Sequence, residues 1–125
     1  MSKGEAFKAI DGRLDTDIKI KSKKKLGPWF AAKLPRSNQP HMIQVFNTAK
    51  GKRKQRQLAG FEIWQGKKEG KLEIKCGGPF HEVNGVGPFQ AQCPGNKKKR
   101  YVTVVVPGKK RTLNIAEVKV FVRSR

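Results

Sequence analysis

A chain of 125 residues with 36% hydrophobic content is sized for one buried core, so a single domain over 1–125 is expected. Twenty-nine Lys and Arg against nine acids give a formal charge of +20. That surplus costs stability through self-repulsion and points to an anionic partner, with solubility alone as the bland alternative. No apolar run reaches the ~20 residues of a membrane-spanning helix, so no transmembrane segment is expected. The opening MSKGEAFKAIDG lacks the apolar stretch of a signal peptide; either the numbering begins at a mature form or the chain is cytosolic.

In chain order, the first pattern is a turn of helix over 5–10, ending at Asp11-Gly12, and a short strand over 18–20 follows. After Pro28 the chain reads as short strands between Gly, Pro and Lys-rich turns: 29–34, 42–47, 58–64, 72–76, 89–93, 100–106 and 116–123. The last alternates most clearly, with Ala116, Val118, Val120 and Val122 on one face and Glu117, Lys119, Phe121 and Arg123 on the other. The segment 101–106 is apolar on both faces, as befits a central strand between packed layers. The expected fold class is all-β, a jelly-roll β-sandwich of about eight antiparallel strands.

Basic residues cluster in the turns: Lys21 with 23–25, Lys50 with 52–54 and Arg56, Lys67 with Lys68, then 97–100 and 109–111. Loops of a sandwich gather at its two ends, so several clusters are expected to merge into one charged rim.

Catalytic patterns are weak. His41 and His81 have no Ser, Cys or carboxylate partner at a recognisable spacing, and read as packed or surface residues. Asp11, Asp15 and Asp17 lack the order of an EF-hand loop. Trp29 and Trp64 sit inside predicted strands, where core packing outweighs sugar stacking. The glycines from Gly77 to Gly87 form no phosphate loop and read as the turn of a long hairpin, and Pro107-Gly108 begins a turn with a basic tip. Cys76 and Cys93 have no metal-binding spacing; they form one disulfide in an oxidising compartment or remain two buried thiols. No enzyme is expected.

The segment KCGGPFHEVNGVGPFQAQCPGNKKKRYVTVVVPGKKRTLNIAEVKVF resembles the C-terminal half of F-type lectins (fucolectins), which carry two Cys around a loop, then RYV-x-V-x-[IV]-PG and a final E-V-x-V strand. Upstream, AIDGRLDTD is similar to the family's A-[VI]-D-G-N entry, PWFAAKLP to its P-W-W-x-V-D-L strand, and LAGFEIWQG to its L-x-G-x-E-[IV]-x-I-G strand. The likeness runs over 6–123 in order. It implies a jelly roll with a glycan pocket in the loops at one end, a nearby structural Ca²⁺, and a hairpin disulfide between Cys76 and Cys93.

Carried over residue by residue, Asp11 and Glu117 match calcium ligands and Ser22 matches the loop serine. Lys8 replaces a polar oxygen donor, and Arg13 replaces the Asn after the glycine. Ca²⁺ requires six to eight oxygens and is repelled by an ammonium, so a vestigial site neutralised by Lys8 or Arg13 is expected, with no cofactor. A retained Ca²⁺ with Lys8 turned outward is the rival. The family's sugar pocket uses a His, two Arg and a vicinal disulfide. Here Lys25 falls at the His, Lys50 at the first Arg, Lys52 at an Asp, Arg53 and Lys54 at the paired Cys, and Gln57 at the last Arg. The fucose-binding motif is therefore lost. The family's second cross-link is lost from both sides, at Lys23 and Ala116.

The candidate ligand-binding set is Lys25, Lys50, Lys52, Arg53, Lys54, Arg56 and Gln57, with 97–100 as an extension. The expected partner is an acidic or sulfated glycan, or a glycoprotein coat carrying one, met outside the cell, with release from a secretory granule as one route. Some sperm proteins of marine invertebrates that adhere to egg coats contain F-type lectin domains, so gamete recognition or non-enzymatic coat lysis is a second reading. Non-specific nucleic-acid binding is a third, though no groove-binding helix or aromatic platform is evident. No feature of the sequence sets an oligomeric state.

Overall fold

The computed structural model describes residues 4–11, 20–23, 27–33, 38–94, 99, 101–108, 113 and 115–124, with side chains over 27–33, 41–94, 99, 101–108, 113 and 115–121. Alternating apolar positions divide these residues into two layers. β1 (Gly4–Asp11), β4 (Asn38–Phe46), β7 (Phe89–Gln92) and β9 (Glu117–Ser124) form one sheet in the order β1-β9-β4-β7. β2 (Ile20–Lys23), β3 (Gly27–Lys33), β5 (Phe61–Gly66), β6 (Ile74–Phe80) and β8 (Tyr101–Val105) form the other, in the order β2-β3-β8-β5-β6. Every pairing is antiparallel. Ile43, Val45, Val118 and Val120 from the first sheet meet Phe30, Phe61, Ile63, Val102 and Val104 from the second in one buried cluster. Full burial of each such side chain contributes about 1.5–3 kcal/mol. The all-β sandwich expected from the sequence is present, with nine strands among the described residues in place of about eight.

β8 is buried on both faces, as its composition required. Val102 and Val104 point into the core, while Thr103 and Val105 are equally buried on the outer side. There the segment 67–73 folds back over the sheet, and the Gly70 amide donates to Thr103 Oγ1 at 3.2 Å. Trp29 is buried beside Gly70 on this outer layer, whereas Trp64, expected in the core, is half-buried on the outer face. Strand alternation sends Ile63 and Gln65 inward and leaves Trp64 and Glu62 outward.

The expected helix over 5–10 is instead strand β1. Its Glu, Ala and Lys are good helix formers, but pairing along β9 overrides propensity. A register shift between Lys8 and Ile10 also breaks the alternation that would have marked a strand. In the opposite sense, the basic turn at 50–56 contains one turn of helix, α1 (Lys52–Gln55), followed by a 3-10 turn at Arg56–Leu58. The run KRKQRQL has no strand former before Leu58, and Gly51 supplies the entry at φ 117°, where a side chain would be strained. The predicted strand over 58–64 accordingly starts later, at Phe61. β6 starts at Ile74 and absorbs Gly77 and Gly78, which had read as part of a turn.

Cys76 and Cys93 form a disulfide. It ties β6, an edge of one sheet, to the residue after β7, an edge of the other. Such a cross-link contributes about 2–4 kcal/mol by restricting the unfolded chain.

Candidate functional site

Register places most of the candidate residues at one end of the sandwich. In the four-stranded sheet Asp11 lies opposite Glu117, which also pairs with Phe46, the last residue of β4. In the five-stranded sheet the same end is marked by Lys23 opposite Gly27, by Val106 after β8, and by Phe61 at the start of β5. The amide of Gly60 donates to the Phe80 carbonyl there, and that of Val106 to the Pro28 carbonyl. Gly27, at φ 88°, is pressed against the backbone of Val106 and Gly108, so a Cβ would collide with the turn that enters 109–111. Lys25 and Arg13 lie outside the described residues, as do 109–111.

At this end two buried amides hold the loop 48–58. Asn47, 1% exposed, donates from Nδ2 to the carbonyls of Gln55 at 3.0 Å and Val83 at 2.8 Å, and its Oδ1 accepts from the Thr48 amide. Gln55 returns the contact: its Nε2 donates to the Thr48 carbonyl and its Oε1 accepts from the Gly85 amide, each at 3.0 Å. Leu58 anchors the far end in the core. With its polar atoms turned inward, the loop presents Lys50, Lys52, Arg53, Lys54 and Arg56 to solvent, and Gln57 half-exposed. None of these five cations forms an ion pair among the described residues. Five unpaired positive charges on a fixed turn form a concentrated positive field, with guanidinium forks at Arg53 and Arg56 suited to bidentate oxyanions.

Sequence reasoning found these cations and missed the pair that positions them. Asn47 and Gln55 are eight residues apart and match no motif; an Asn-Thr pair leaving a strand was the one available signal for a built turn.

Of the expected extension at 97–100 only Lys99 is among the described residues, and it is not part of this surface. Lys99 lies before β8, whose first residue Tyr101 pairs with Lys33 and Gly66 at the opposite end of the sheet. Its carbonyl accepts from the buried Gln65 side chain. Lys99 therefore lies at the end opposite the cations of 50–56.

For the vestigial metal site, the backbone brings Asp11 and Glu117 together, but Lys8 faces Lys119 two positions along the same ladder. Ser22 pairs with Pro28 on the other sheet. Among the described residues no three His, Cys, Asp or Glu side chains converge. Among the described residues, two acids beside two lysines fall short of the six to eight oxygens of a Ca²⁺ cage.

No family model matches the sequence, and no curated protein matches it. A search of solved structures finds a fucolectin from the serum of striped bass (Morone saxatilis), with a TM-score of 0.61, 23% identity, 98% of this chain covered and 46% of that one. The chain has the fucolectin fold. It spans about half the length of that fucolectin chain. At 23% identity the likeness is one of architecture.

Proposed function

We propose that the chain is a non-enzymatic binding module for acidic or sulfated glycans, outside the cell, using the loop end of a fucolectin fold. The observation that carries this reading is the rigid turn that displays Lys50, Lys52, Arg53, Lys54 and Arg56 without acidic partners among the described residues. Bringing five cations together without counter-charge is unfavourable unless an anion completes the surface. The striped bass protein is a lectin from serum, and the Cys76–Cys93 bond is of a kind that persists in oxidising compartments. Both support a secreted glycan binder. The positions matching the family's fucose grip are filled by cations and Gln57, so a neutral deoxy-sugar finds neither fixed neutral donors nor a stacking surface there.

Affinity for heparin, measured across a salt series, tests the reading. The wild type is expected to lose affinity steeply between 50 and 300 mM NaCl, in the way counterion release dictates. The quadruple change K52Q/R53Q/K54Q/R56Q is expected to weaken binding by at least tenfold and to flatten the salt slope. Duplex DNA of matched charge is the comparator. Equal affinity for both polymers, or heparin binding unchanged near molar salt where screening acts within ~3 Å, overturns recognition of sulfated glycan by this turn.

A further inference from the structure

The end of the sandwich opposite α1 carries a second cationic group that the reading above leaves unused. β5 enters from the 3-10 turn at Phe61 and leaves at Gly66, directly into Lys67 and Lys68, both exposed. Lys71 is also exposed, and Lys99 approaches from the far side of the sheet. One carboxylate organises this group. Glu73 accepts from the Lys67 amide at 2.7 Å and pairs with the ammonium of Lys99 at 3.2 Å and of Lys71 at 3.9 Å. Lys75 stands apart from this group: opposite Trp64 midway along β5, it pairs with Glu62 near the start of that strand at 3.6 Å and lies 5.4 Å from the centre of the Trp64 ring. The ammonium groups of Lys67 and Lys68 form no ion pair among the described residues.

Two features make this a site in its own right. The first is construction: the Glu73 clamp fixes the backbone of 67–73 against the sheet, so Lys67 and Lys68 project from a held loop. The second is distance. The six residues of β5 separate the two cationic groups, and at ~3.3 Å per residue that is about 20 Å of strand. The Debye length at physiological salt is about 8 Å. An anion bound at the α1 end therefore leaves the charge at the other end nearly unscreened.

We infer that Lys67, Lys68, Lys71 and Lys99 form a second site for sulfated polysaccharide, so that one molecule bridges two polyanion chains. The inference rests on the proposed function for its ligand class. The two ends differ in kind: the α1 end contains two arginines among five cations without acidic partners among the described residues, whereas the second is all lysine and partly offset by Glu69 and Glu73. The second site is accordingly the weaker and the more salt-sensitive.

The test is stoichiometry with a heparin-derived tetrasaccharide, too short to reach from one end to the other. Calorimetry at low salt is expected to give two per wild-type molecule, one for K67Q/K68Q/K71Q and one for K52Q/R53Q/K54Q. Agglutination of heparin-coated beads is expected to disappear in either variant while attachment to the beads persists. One tetrasaccharide per wild-type molecule, unchanged in K67Q/K68Q/K71Q, overturns the second site and leaves the first standing. No binding by any form overturns the underlying reading instead. Lysine acetylation of the wild type gives a readout free of folding effects: heparin is expected to protect Lys67 and Lys68 along with Lys50 and Lys54. Full reactivity at Lys67 and Lys68 under saturating heparin overturns the inference.

Discussion

Asn47 leaves no lone polar atom when it folds: its amide nitrogen reaches two carbonyls and its oxygen takes the next backbone amide. Replacing it by Ala strands the carbonyls of Gln55 and Val83 in a buried setting, each at the cost of an unsatisfied group, roughly 1–3 kcal/mol. N47A is expected to lower the unfolding free energy by about 2–4 kcal/mol in urea. Heparin affinity should fall severalfold at a salt concentration where N47A remains folded, because the cations of 50–56 are no longer held in one arrangement. If stability drops while affinity is untouched, the network is a structural device and the turn binds as a flexible polycation. The exposed lysines themselves should behave oppositely, changing affinity with little effect on folding.

At the scale of elements, the segment 67–73 depends on a titrating group. The Lys67 amide, above all, holds the Glu73 carboxyl below the ordinary carboxylate range; desolvation pushes it back up, and the ammonium groups of Lys99 and Lys71 add to the lowering. A carboxyl lowered in the folded state adds stability that is present at neutral pH and is lost as pH falls through its depressed value. Wild type and E73Q should therefore differ most in urea midpoint near pH 7 and converge as the pH falls through the depressed value, below the ordinary carboxylate range. A difference that stays constant down to pH 3 would mean that the carboxylate charge contributes nothing to holding the loop.

The same scale shows which elements the sequence made legible. β8 and β9 were readable because burial imposes a pattern: two apolar faces for a strand packed on both sides, alternation for one packed on a single side. β1 was not, because a bulge after Lys8 interrupts the period and its residues favour helix when considered alone. The helical turn α1 was hidden for the opposite reason: a four-residue element has no period to display. The cations of 50–56 were legible by composition. Their separation from Lys99 was not, since only strand direction and register decide which loops share an end.

For the molecule as a whole, the formal charge of +20 makes ionic strength a variable of stability. At 10 mM salt the screening length of about 30 Å exceeds the length of the strands, so each cation is repelled by nearly all the others; at 0.15 M it falls to about 8 Å and only neighbours count. Opposing this are ion pairs, which salt weakens. Those among the described residues join Glu62 and Glu73 to Lys71, Lys75 and Lys99 near the surface, where such pairs are worth no more than about 1 kcal/mol each. Repulsion therefore wins, and the melting temperature is expected to rise with NaCl from 10 to 300 mM by about 5 °C, the shift that roughly 1 kcal/mol produces in a chain of this size. A melting temperature that is flat or falls would show that internal pairs outweigh repulsion, removing the energetic reason for an anionic partner. At 10 mM salt, heparin should stabilise the fold beyond what NaCl achieves at its best, because a ligand that binds the native arrangement of cations adds its binding free energy to the relief of repulsion. In the quadruple variant of 52–56 both effects shrink together, since the charges that repel one another are the charges that bind.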